Sequence, residues 1–450
     1  MNKVHLLLGA HICWHNDDYG NPLPTKGLCV RKQDGAIVNG NPAYFEFVVF
    51  EYFPPSFEVV SANNPNRKEL IIGLDCLPGI RNTLRCVILP LGATLYDNAF
   101  SKCAKLEVVV LQTDSQRIGR SCFSKCTSLE HIYVPDSVIQ IGSCAFKGCS
   151  KLRYVRLSSK LNKIAKQLFQ SCKSLNNVEL PAQIAKISDF AFYKCKLLQH
   201  ISFPQGLAKI GAHAFGYTNL YAFPRLPSLQ SIDDCVFLGC TELVDVTFSQ
   251  SLMTIGSSAF SGCTRLMSVT FPSSLKMIWR YAFHRCTSLT RVTFENPLKS
   301  APELTIYESA FSECIQLASI TFPVRLFKIG SRAFRMCYRL KEVLFSNPTK
   351  TASTQQELEQ QELEVILDTE AFSFCPIGYM QIEANVYLGS AVFSLTQGKS
   401  TVVDVGGDCF VRALCRRQLY PRVNQVFLHI KPKGLKKKRQ ENEFADYTYP

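Results

Sequence analysis

A β-rich repeat solenoid is the fold class this sequence predicts, and three observations carry the prediction. First, phenylalanines stand at 100, 123, 146, 169, 192, 215, 237, 260, 283, 311, 334 and 372, and eight of the eleven spacings are 23 residues. Second, each Phe keeps fixed company. Ile stands five residues before it at 118, 141, 164, 187, 210, 232, 255, 278, 306 and 329, with Leu95 and Leu367 in the first and last units. Cys stands three residues after it in every unit except that of Phe215, where Thr218 takes the place. Third, most units then open a short alternating run that ends in Pro, such as Leu129-Glu-His-Ile-Tyr-Val-Pro135 and Leu266-Met-Ser-Val-Thr-Phe-Pro272. A unit of this length cannot bury its own apolar face, so successive units must stack on one core.

Each alternating run predicts a half-buried strand, and the closing Pro lacks the N–H needed to extend a ladder. One strand per turn in a constant direction predicts a parallel sheet on one face. Its Leu, Ile and Val positions point inward, and its third and fifth residues face solvent. The Ile, Phe and Cys close the coil as an irregular or short-helical far wall.

The composite pattern x-I-G-x-x-A-F-x-x-C-x-x-L-x-x-I-x-L-P resembles the BspA-type, or spirochaete-type, leucine-rich repeat. Ile141-Gly-Ser-Cys-Ala-Phe-Lys-Gly-Cys149 and Ile255-Gly-Ser-Ser-Ala-Phe-Ser-Gly-Cys263 match it nearly residue for residue, and the resemblance runs from about Leu84 to Cys375. It implies a leucine-rich repeat horseshoe or coil. It also implies a non-catalytic interaction or adhesion protein, often at a microbial or protist cell surface, without fixing a partner.

Along the chain, residues 1–40 are a non-repeat segment rich in Gly, Asn, Asp and Pro. Residues 41–83, with the aromatic run Tyr44–Phe53, suit an N-terminal cap over the first coil. Repeats occupy 84–377, and two insertions near 295–303 and 346–364 each begin with Asn-Pro just after a strand. Both should therefore leave the stack from the same side. The longer one is acidic and Gln-rich, which reads as a solvated loop or short helix, or as an arm for a basic partner. The unit of Phe215 carries Pro224 inside its expected strand, where the sheet should bend or break. Residues 378–430 read as degenerate repeats and a C-terminal cap, and 431–450 as a basic disordered tail.

The formal net charge is +14, and the last 39 residues hold ten Lys or Arg against three Asp or Glu. That placement argues against the solenoid as a nucleic-acid surface, and no specific nucleic-acid readout is expected. Of twenty cysteines, eleven share one repeat position, where parallel side chains are poorly aimed for bridging and behave as small buried hydrophobes. The others follow no metal or oxidoreductase spacing, and a reducing compartment fits slightly better. Val4–Trp14 has the length of a signal-peptide core, but His5 and His11 interrupt it and no small-x-small cleavage site follows. No other apolar stretch approaches the ~20 residues that span a bilayer, and the chain reads as soluble.

No nucleophile, base or metal set with a known spacing is present, so no catalysis and no cofactor are expected. His11, Cys13, His15, Asp17 and Cys29 could be imagined around zinc, but H-x-C-x-H is not a recurrent zinc spacing, and no metal is expected. The outward strand positions differ between the two halves. Thr247, Thr270, Thr293 and Thr321 form a column that a sheet face favours structurally. His131, Tyr133, Tyr154, Arg156, Asn177, Glu179 and His200 gather chemistry suited to binding a protein partner, with an ordinary solvated face as the alternative. In the tail, Lys431, Lys433, Lys436, Lys437, Lys438 and Arg439 form a run suited to an anionic polymer or lipid, or to nuclear targeting.

Overall fold

A computed structural model describes residues 82, 84–89, 93–111, 115–295, 302–323, 325–345, 364–382 and 385–393. It also describes the backbone of nine strands outside them. The chain forms two compact units, Met1–Gly206 and Leu207–Pro450. Each is a parallel β-solenoid, and the described residues contain no helix.

In the first unit the expected parallel sheet pairs Leu28–Val30, Phe47–Phe50, Cys86–Ile88 and Val108–Val110 in that order. It resumes as His131–Tyr133, Tyr154–Arg156 and Asn177–Glu179. Ladder pairing thus reaches back to Leu28–Val30, N-terminal to the repeat consensus. In the second unit the same sheet appears as Ala222–Phe223 with Asp245–Val246, then Ser268–Phe271 with Arg291–Phe294. Ser319–Phe322, Glu342–Phe345, Tyr379–Ile382, Thr401–Val405 and Val426–Ile430 form a further five strands. Ala222–Phe223 is only two residues long because Pro224 follows it and offers no N–H.

The expectation of one strand per turn is corrected by the structure, because most coils carry two. The residue before the repeat Ile and the Ile itself form a second parallel sheet, with Arg117–Ile118 on Gln140–Ile141 and Lys163–Ile164 on Lys186–Ile187. In the second unit this sheet runs through eight strands, from Ser231–Ile232 to Val411–Ala413. Its N-terminal edge in the first unit is closed by an antiparallel hairpin, Glu58–Ser61 with Asn64–Ile72. The glycine after the repeat Ile is steric in origin. A Cβ on Gly142 would lie 2.4 Å from the Arg120 backbone N of the preceding coil.

The far wall is built from left-handed turns. The residues two before and two after each Phe take positive φ, as in Cys144 (61°) and Gly148 (75°), or Gln167 (57°) and Ser171 (63°). This alternation turns every second N–H toward the next coil: Cys144, Phe146 and Gly148 donate to the carbonyls of Lys166, Leu168 and Gln170 at 2.9, 3.0 and 2.8 Å. A non-Gly residue held left-handed costs roughly 1–2 kcal/mol, and the inter-coil bonds together with the Phe stack offset that cost.

All twelve repeat phenylalanines are fully buried. In the first unit their rings stack from Phe100 to Phe192 with centroids 5.4–5.6 Å apart. In the second, from Phe215 to Phe372, the spacing is 5.1–5.7 Å.

The cysteine row is hydrogen-bonded as well as buried. From Cys126 onward each row thiol reaches back one coil to the carbonyl of the previous repeat Phe, as in Cys149 to Phe123 at 3.1 Å, Cys172 to Phe146 at 3.0 Å and Cys263 to Phe237 at 3.3 Å. That carbonyl already accepts an N–H within its own coil, so the thiol fills its second lone pair. Burial pushes the thiols up, to about 12 for Cys149 and Cys286 and about 11 for Cys240, so they stay protonated and able to donate. All eleven row cysteines are free.

The insertions both leave after strands of the first sheet, Arg291–Phe294 and Glu342–Phe345, and the chain rejoins at Leu304–Ile306 and Glu364–Leu367 of the second. Residues 296–301 and 346–363 themselves lie outside the described residues. Beside the first insertion, buried Arg325 donates through Nη1 to the carbonyls of Leu275 and Pro302, the latter at 2.9 Å, and through Nη2 to that of Pro272 at 3.3 Å. Regular coils place a serine here, such as Ser274, whose Oγ donates to Leu252 O at 2.7 Å. Arg325 thus reaches across the insertion-bearing coil to the turn beyond it. Burial lowers its pKa to about 10, which leaves it cationic at neutral pH.

Candidate partner-binding face

Strand alternation alone positions the first-sheet candidates. In His131–Tyr133, Tyr154–Arg156 and Asn177–Glu179 the central Ile132, Val155 and Val178 are buried, which turns both flanking residues outward. Parallel register then aligns His131, Tyr154 and Asn177 in one column and Tyr133, Arg156 and Glu179 in the next. Six of the seven candidates therefore share one three-stranded face. His200 is exposed but lies in a segment that forms no strand, so the face ends before it.

The centre of the face is held in place by its own contacts. The Arg156 guanidinium carbon sits 4.5 Å from the Tyr133 ring centroid, and Nη2 donates to Asp136 Oδ2 at 3.1 Å. Asp136 is fixed in turn because its Oδ1 accepts the Ser159 N–H of the next coil at 2.8 Å. That bond, with Arg156 second, lowers the Asp136 carboxyl below its ordinary value. Burial raises the Tyr154 phenol, and the charge of Glu179 adds to the shift, so it stays a neutral donor at physiological pH. Asp136 is a member of the face that strand alternation could not reveal, since it lies in the turn after Pro135. The only sequence signal for it is a Pro-Asp pair at a strand end.

The matching face of the second unit is plainer. Thr270 and Thr293 hydroxyls bond each other at 2.7 Å, and Thr293 also donates to Val269 O at 3.3 Å. Both hydroxyl donors are thus used within the sheet.

The described residues hold no group of three or more His, Cys, Asp or Glu placed to bind a metal ion. No helix among them is long and apolar enough to cross a membrane. His11, Cys13, Asp17 and the basic run from Lys431 to Arg439 lie outside the described residues, as do the side chains of His15 and Cys29.

The two-sheet coil, the Phe stack and the Cys row coincide with a family model of the BspA type leucine rich repeat region, which matches residues 93–221, 209–305 and 304–398. The chain belongs to this family. A crystal structure of a leucine-rich repeat protein from Bacteroides ovatus ATCC 8483 superimposes with a TM-score of 0.54 at 26% identity, covering 76% of this chain and 94% of that one. A leucine rich cell surface protein from Faecalibacterium prausnitzii A2-165 matches with a TM-score of 0.42 at 24% identity, over 68% and 89%. The pneumococcal vaccine antigen PcpA matches with a TM-score of 0.42 at 16% identity, over 78% and 89%. No curated protein matches the sequence. As a leucine-rich repeat protein, the chain is of a kind consistent with protein binding or surface recognition.

Proposed function

We propose that this chain is a non-catalytic recognition protein that binds a protein partner through His131, Tyr133, Tyr154, Arg156, Asn177 and Glu179, in a surface or host-contact adhesion role. The observation that carries the reading is the pinned Tyr133–Arg156–Asp136 set beside Tyr154 on an ordered sheet. Tyr and Arg dominate binding hot spots, and side chains already held in one conformation lose little entropy on docking. A partner would meet two phenol rings and a guanidinium edge, flanked by Glu179.

The experiment is to purify the partner recovered by the full-length chain and to compare its affinity for wild type, Tyr154→Ala and Arg156→Ala. A loss of at least tenfold in each, with unchanged melting, is expected. Unchanged affinity in well-folded variants overturns the assignment.

A second reading, an intracellular scaffold using the same face, draws support from the reduced thiol row, with the basic tail serving nuclear or anionic-surface targeting. Cell fractionation with thiol labelling separates the two: surface-exposed protein with oxidised cysteines supports adhesion, and cytosolic protein with free thiols supports the scaffold.

A further inference from the structure

The second sheet of the first unit has an outer surface of its own. Its outward column reads Arg117, Gln140, Lys163 and Lys186, all exposed, with Ile118, Ile141, Ile164 and Ile187 buried behind them. Three residues further along their coils, Arg120 and Lys166 add exposed cations. Two carboxylates serve this stripe: Asp97 lies 3.8 Å from Arg117, and Asp189 lies 3.4 Å from Lys166. Five cations against two anions leave the stripe positive along about 14 Å, three inter-strand steps of ~4.8 Å.

The repeat does not require this charge. In the second unit the same column opens with Lys209, which is paired with Asp233 at 3.9 Å, and then reads Ser231, Thr254, Met277, Thr305, Lys328 and Ile366, with Lys328 paired with Asp368 at 3.1 Å. The imbalance extends across the repeats of the first unit. Residues 84–206 hold seventeen Lys and Arg against seven Asp and Glu, a net of +10, whereas 207–393 hold fifteen against sixteen, a net of −1. A fold that accepts Ser, Thr, Met and Ile at a position gains no core packing from Lys there.

We propose that the stripe Arg117, Arg120, Lys163, Lys166 and Lys186 is a docking surface for a linear acidic polysaccharide bearing sulfate or carboxylate groups along its length. The charges follow the solenoid axis in a narrow file, which suits a chain laid parallel to that axis. Lysine is a compact, hydrated point charge that engages such groups without planar geometry. The stripe contains no aromatic ring on which bases could stack, the feature that single-stranded nucleic acid binding relies on. This surface lies on a different sheet from the Tyr154 face and is independent of it.

The test uses the full-length chain and a heparin dodecasaccharide as probe, with affinity measured from low to moderate NaCl. Arg117→Ser, Lys163→Ser and Lys186→Ser are combined in one variant, and Lys436→Ser, Lys437→Ser and Lys438→Ser in a control that removes equal charge from the tail. The stripe variant is expected to melt as wild type. Its slope of log affinity against log salt should be shallower by about two to three, near one per cation removed, while the tail control keeps most of the wild-type slope. A stripe variant that binds as wild type while the tail control loses binding overturns the proposal. Tighter binding to single-stranded DNA or phosphatidylserine vesicles than to the glycan, lost in the same stripe variant, overturns the polysaccharide assignment. Neither result touches the Tyr154 face, which all of these variants retain.

Discussion

The two units share one skeleton and differ in what they hang on it. Both stack Phe rings at just over 5 Å, and both bond row thiols to the preceding Phe carbonyl. On the inner side of the first sheet, the first unit places Val134, Leu157 and, in its last coil, Phe203 where the second places Phe248, Phe271, Phe322 and Phe345. The second unit therefore has a second aromatic file, with Phe271 set edge-on to Phe283 at 5.5 Å and Phe322 edge-on to Phe334 at 5.7 Å. Outside, the contrast reverses: the first unit carries the pinned tyrosine–arginine face and the basic stripe, and the second carries bonded threonines and balanced charge.

The largest expected effect concerns what the units share. Buried thiols such as Cys149 and Cys286 have a folded pKa above their unfolded value of about 8.5, so their contribution is complete below that value and is lost as pH rises toward the folded pKa of about 12. Between pH 8.5 and 10 each thiol should cost about 2 kcal/mol of stability. In the first unit burial raises Cys122, Cys126, Cys149, Cys172 and Cys195 alike, so the losses run in the same direction in neighbouring coils. Thermal melts from pH 7 to 10 should show both units collapsing together. A unit that melts at the same temperature across that range would contradict the buried, protonated row.

Ring truncation separates the units. Phe169→Ala, with stacked neighbours at 5.6 and 5.4 Å, should cost ~3–5 kcal/mol in urea unfolding. Phe283→Ala also loses the edge contact to Phe271 and should cost about 0.5–1.5 kcal/mol more. Equal losses would remove the energetic meaning of the second file. Arg325→Met strips hydrogen bonds from three carbonyls in the second unit and should cost about 2–3 kcal/mol, read from the second unit's unfolding transition. Smallest is the thiol bond. Cys172→Ala should cost about 1 kcal/mol, and Cys172→Ser, which can still donate to Phe146 O, should cost less.

Much of this skeleton was legible before the structure, for physical reasons. A buried ring, a buried Ile and a small donor must recur at each coil, so Phe, Ile and Cys write the period into the sequence. The second sheet was not legible, because strands of two residues such as Lys163–Ile164 are too short for alternation to register. Nor was the left-handed wall. Glycine fills its positive-φ positions only at Gly148, Gly239 and Gly262 among the described residues, and elsewhere residues such as Ser121, Lys125, Gln167 and Phe190 stand there and do not advertise it. Arg325 bonds carbonyls 50 and 53 residues away, which no local pattern announces. For the candidate face, alternation put six side chains on one three-stranded surface, and His200 is exposed as well but lies where no strand forms. Alternation could not point to Asp136, which lies in a turn.

The central claim is that recognition belongs to the varied face of the first unit and not to the regular face of the second. The most direct measurement compares the affinity of the purified partner for two double variants, Tyr154→Ala with Arg156→Ala and Thr270→Ala with Thr293→Ala. A loss of at least a hundredfold in the first and less than twofold in the second is predicted. Equal losses in the two, or a loss confined to the threonine variant, would contradict it.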